Sequence, residues 1–91
     1  MINGGIGMSK KNTIYEITIS EDGLENYNSS DISAKDMAEN LGIDAVMTDF
    51  EWDENIKKCQ ILTGRIIEDI SVEDAISEME NVEYIEGVRE S

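Results

Sequence analysis

Two stretches of the chain repeat one another, and the repetition restricts the fold more than any other feature. Ser33-x-x-Asp36-x-Ala38-x-x-Leu41 is matched by Ser71-x-x-Asp74-x-Ile76-x-x-Met79. Each copy starts with a serine whose hydroxyl can cap a helix. Each places an acid at the third helical position and then apolar residues at helical spacing. Gly42 stands where the first helix should stop, and Asn81 is the expected C-cap of the second. The predicted helices cover residues 34–41 and run from Val72 to that cap. Helices this short are not stable alone in water. Each must therefore lay its apolar stripe on something else.

The segments around them read as strands. Residues 13–20 alternate and are rich in β-branched side chains, which predicts strand one. Residues 21–30 contain Gly23, Asn26 and Asn28 and read as a loop. Strand two is predicted over 43–52, a turn at Asp53-Glu54-Asn55, and strand three over 56–66, so that strands two and three form a hairpin. Strand four is predicted over 82–88. The order is β-α-β-β-α-β. Right-handed crossovers then give an α+β, ferredoxin-like domain: a four-stranded antiparallel sheet with two helices on one face. The other face is left open. Alternation in the hairpin is imperfect. Val46, Phe50 and Trp52 point one way and Ala45 and Met47 the other; Cys59 and Ile61 oppose Leu62 and Ile66. Two explanations stand side by side: a small core with leaky patterning, or a second apolar face for a partner.

At 91 residues the chain is one domain with a modest core. Residues 1–12 are Gly-rich and then basic and read as a flexible leader; 13–86 form the domain; 87–91 form a polar C-terminal tail. The net charge of −14, from 21 acids against 7 bases, argues against binding nucleic acid phosphates or an anionic membrane. It fits a solvated acidic shell or a basic partner. The single cysteine, Cys59, allows no internal disulfide, and without histidine a His-based triad is excluded within the chain. No apolar run approaches membrane-spanning length. The first residues lack the basic and apolar regions of a signal peptide, so with Met1 as the start, synthesis in the cytosol without export by that route is expected.

Chemistry is sparse. Asp49, Glu51 and Asp53 are spaced like the start of a calcium loop, but the glycine and final glutamate are missing. Gly4-Gly5-Ile6-Gly7 follows no strand and lacks the residues of a phosphate loop. Ser71 and Ser91 have no histidine to activate them. No catalytic residue, metal ligand or cofactor is expected, and the chain reads as a non-enzyme by itself.

The last helix and strand carry a resemblance. Gly64-Arg65-Ile66, then Ile70-Ser71-Val72-Glu73-Asp74-Ala75-Ile76-Ser77-Glu78-Met79, then Val82-Glu83-Tyr84-Ile85-Glu86 resemble the C-terminal half of subtilisin propeptides, the inhibitor I9 family. The resemblance implies a βαββαβ prodomain that acts as intramolecular chaperone and inhibitor of a subtilisin-like serine protease. Its partner would be the cognate protease domain, with no nucleic acid or membrane. The open sheet face would pack on two protease helices. Glu86 would sit near helix N-termini of the protease, where a carboxylate is favoured. Val88, Arg89, Glu90 and Ser91 would occupy the substrate cleft as an added strand, with Ser91 at the cleavage site and Val88 in the fourth subsite. The absence of a signal peptide fits two subgroups: intracellular subtilisins, and the Csp germination subtilases of clostridial spores, which would imply spore association. Two other functions share the fold or the charge. One is an acidic interaction protein, such as a phage anti-defence protein or nucleic-acid mimic. The other is an ACT-like regulatory ligand-binding domain.

Overall fold

A computed structural model of the chain describes residues 13–28, 31–55 and 60–91. The leader assigned to residues 1–12, the start of strand three at 56–59, and Cys59 lie outside them. The elements are β1 (Tyr15–Ile19), α1 (Glu21–Asn26), α2 (Ala34–Leu41), a 3₁₀ turn (Ile43–Ala45), β2 (Met47–Trp52), β3 (Ile61–Ile66), α3 (Val72–Glu80) and β4 (Ile85–Glu90). The four strands form one sheet in the order β2-β3-β1-β4, and every pairing is antiparallel. This is the ferredoxin-like arrangement, with three helices among the described residues rather than two.

The two repeated units form as their sequences dictate. Ser33 Oγ accepts from the Asp36 N–H at 3.1 Å, and Ser71 Oγ accepts from the Asp74 N–H at 3.1 Å. Gly42 takes the left-handed conformation, φ 78°, which a residue without Cβ adopts at little cost. Met37 and Ala38 of α2 and Ala75 and Met79 of α3 are fully buried against Ile17, Ile19 and Leu62 of the sheet. Each large side chain so buried contributes roughly 1.5–3 kcal/mol. No helix among the described residues is long and apolar enough to cross a membrane.

The predicted loop at 21–30 instead opens with a helix. Ser20 Oγ accepts from the Gly23 N–H at 3.2 Å, and Glu21 and Asp22 favour the first turn through the helix dipole. Gly23 does not break this helix; it lets β4 approach. A Cβ there would lie 2.6 Å from Tyr84 Cβ. Tyr27, which caps the helix, meets Tyr84 edge to face at 5.7 Å.

Strand boundaries also move. Residues 43–45 form a 3₁₀ turn because the chain leaves α2 through left-handed Gly42 and Ile43 tucks into the core. Strand four starts and ends later than predicted, since residues 82–85 still turn: the Val82 N–H donates to Met79 O and the Ile85 N–H to Val82 O.

The imperfect alternation comes from two bulges. Register slips between Thr48 and Glu51 against β3, where Asp49 takes φ 59°. The extra residue returns Phe50 and Trp52 to the face that Met47 occupies. Met47, Phe50 and Trp52 thus all pack on the core, contrary to the sequence pattern. A second slip, between Thr18 and Ile19, leaves Glu86 and Gly87 on β4 facing Thr18 of β1. The outer face of the sheet is not a second apolar surface. Its β1 and β3 positions are Ile14, Glu16, Thr18, Ile61, Thr63 and Arg65, and only Ile14 among large apolar side chains of the described residues is exposed.

Candidate functional site

The uncovered face and the β4 edge form one continuous surface, built in cross-strand rows. The register places Arg89, Glu16, Thr63 and Glu51 side by side from β4 to β2. Arg89 Nε donates to Glu16 Oε1 at 2.9 Å, and Thr63 Oγ1 donates to the Glu51 carbonyl at 3.2 Å. In the next row Ile14 is opposite Arg65, whose Nη1 donates to Asp49 Oδ2 at 3.2 Å. Arg65 Nε is buried and has no hydrogen-bond partner. A cavity of about 50 Å³ lies between Ile14, Arg65, Asp49 and Glu51. That is far below the size of a small-molecule site. A larger open groove of about 530 Å³ runs between α2 and the β2 edge, past Lys35, Glu39, Met47 and Phe50. No group of three or more metal-capable side chains occurs among the described residues.

Charge is divided between the two layers. Glu21, Asp22, Glu25, Asp36, Glu39, Glu73, Asp74, Glu78 and Glu80 are exposed on the helices, where Lys35 is the one basic side chain among the described residues. The other two described cations, Arg65 and Arg89, both stand on the outer sheet face and both are paired with carboxylates. The helical layer is thus strongly acidic, and the sheet face is mixed.

The residues singled out at the C-terminus lie on this surface, in a different setting from a free tail. Glu86 is exposed at the β4 bulge. Val88 is half-buried opposite Ile17, Arg89 is opposite Glu16, and Glu90 is opposite Tyr15. The Ser91 N–H donates to Ile14 O at 2.8 Å, and Ser91 Oγ donates to Glu16 Oε2 at 3.4 Å. Residues 87–91 therefore continue β4 to the end of the chain. Burial raises the Tyr15 phenol above its ordinary 10.0, with a further contribution from Glu90.

Glu16 was not legible as a site residue. Its place in the alternation puts it opposite in direction to Tyr15 and Ile17, which predicts the outer face. That it receives both Arg89 and Ser91 follows only from the β1–β4 pairing. Comparison with known families, curated proteins and solved structures finds no match to this chain.

Proposed function

We propose that the chain is the prodomain of a subtilisin-like serine protease, acting as its intramolecular chaperone and inhibitor. The observation that carries the proposal is the position of the resembling segment. The strand that begins with Ile85-Glu86 lies at the edge of an open-faced sheet and leads straight to the C-terminus. The sheet face would pack on two surface helices of the protease. Its threonines and paired arginines, not the acidic helical layer, suit that contact. Glu86, exposed at the bulge, would meet helix N-termini there. Val88, Arg89, Glu90 and Ser91 would enter the cleft as an added strand, with Ser91 at the cleavage point. Residual subtilisin activity is measured as the chain is added, and again with residues 88–91 deleted. Inhibition that survives the deletion unchanged rules out the tail-in-cleft arrangement. The Csp branch, with spore association, is the form of the proposal that fits a chain without a visible signal peptide.

A second function, an acidic interaction protein or nucleic-acid mimic, is favoured by one observation: nine exposed acids on three helices against Lys35 alone. It requires binding to a basic nucleic-acid-binding protein that weakens with salt and competes with nucleic acid. Binding indifferent to salt removes it.

A further inference from the structure

We propose that residues 87–91 form a latch. They are held on β1 in the free chain by Glu16, and they must leave β1 before they can serve as an extended strand in another protein's cleft. The latch concerns the same residues as the prodomain proposal and rests on it for what the released strand enters.

The geometry makes the two positions mutually exclusive. Because the Ser91 N–H donates to Ile14 O, the alternation of an antiparallel ladder makes Arg89–Glu16 and Gly87–Thr18 the hydrogen-bonded pairs. The N–H and C=O groups of Gly87, Arg89 and Ser91 therefore point at β1, while Val88 and Glu90 present theirs to the free edge. Ile19 N–H donates to Gln60 O, on the β3 side, which agrees with this alternation. A cleft that pairs with both edges of the segment, or receives the Val88 side chain in a subsite, requires β1 to let go. Val88 would also leave its half-buried place opposite Ile17.

The restraint on that release is concentrated on one side chain. Glu16 is largely buried at 16% side-chain exposure, whereas Arg89 is 77% exposed. Both carboxylate oxygens are used: Oε1 accepts from Arg89 and Oε2 from Ser91. Glu16 is held in place by its strand, and the C-terminal segment comes to it. Opposing this are few anchors. The segment is a sheet edge and a chain end, and it contains glycine at the bulge, so it opens before the rest of the sheet does. Glu16 is a positioning residue: it acts on the tail, not on a protease.

The test uses the full chain, alone and with a subtilisin whose nucleophile has been removed, and follows individual amides by hydrogen exchange. In the free chain, Glu16→Gln speeds exchange at Arg89 and Ser91 by roughly two- to five-fold, the range for an exposed charged pair, while the Leu62 amide is unchanged. Exchange at Arg89 and Ser91 that stays at the wild-type rate overturns the latch. In the complex, the amides of Glu16 and Thr18, which face β4, lose protection, and Glu16→Gln associates faster by a similar factor. A complex in which Glu16 and Thr18 keep their protection overturns the latch and leaves the prodomain proposal standing. Accelerated exchange in the free chain without any complex overturns the prodomain proposal instead.

Discussion

Replacing Gly23 by alanine separates two physical rules that give opposite signs. Gly23 sits inside α1, and in an exposed helix a Gly-to-Ala change stabilises by about 1 kcal/mol, because alanine loses less backbone entropy. Here the new methyl would stand 2.6 Å from Tyr84 Cβ, 3.0 Å from Tyr84 Cγ and 3.1 Å from Ile19 Cγ2. The nearest atoms belong to the root of Tyr84, fixed by β4 and by its edge-to-face contact with Tyr27, so no rotamer change relieves the clash. Helix and strand must separate by roughly 1 Å, and overpacking of this kind costs about 1–3 kcal/mol. The clash outweighs the propensity gain, and the net effect is a loss of roughly 1–2 kcal/mol. For a domain of this size that lowers Tm by about 4–15 °C. Thermal and urea unfolding followed by circular dichroism measure it. Gly87→Ala is the control, since a Cβ there meets nothing within 4 Å; it should be neutral or stabilise by about 0.4–1 kcal/mol. A Gly23→Ala protein that melts at or above the wild-type temperature would refute the close-approach account of α1.

Four other outcomes follow. Gly42→Ala, at φ 78° with open space around it, should cost about 1 kcal/mol through backbone strain alone, and Gly42→Asn less, both read from urea midpoints. Ser33→Ala and Ser71→Ala should each cost about 1 kcal/mol, showing that the two repeated units are capped alike. Met79→Ala, at a fully buried position, should cost about 2–5 kcal/mol, enough to unfold much of a small domain at ambient temperature. Stability should also fall as pH rises past about 10. The phenols of Tyr15 (through burial, then Glu90) and Tyr84 (through Glu83 first) are raised in the folded state, so the unfolded chain releases those protons earlier. Tyr15→Phe should remove its share of that alkaline loss, as ultraviolet titration alongside unfolding would record.

Much of the framework was legible because it depends on local periodicity. Ser33, Ser71 and Gly42 announce helix ends through groups within one turn of them, and Met37, Leu41, Ala75 and Met79 mark faces that no neighbour needs to confirm. The element order then left one economical topology. Gly23 misled for a physical reason: the same residue serves a turn and a close contact, and only the nearby Tyr84 tells them apart. The strand-two pattern misled because an inserted residue at Asp49 reverses which side chains share a face, and no rule of alternation shows where a ladder slips.

The surface proposed for function divides along the same line. The sequence by itself determined the acidic character of the chain, the two capped helices, the strand order and the extended nature of the C-terminal residues. All of these follow from charge, caps and spacing within a few residues. Only the tertiary structure decided that residues 87–91 are a paired edge strand rather than a tail, that Arg65 and Arg89 gather on the uncovered face, and that Glu16 holds both Arg89 and Ser91. Those facts join residues from opposite ends of the chain. Hydrogen bonding between strands far apart in sequence is set by the register of the closed sheet, which no local pattern encodes.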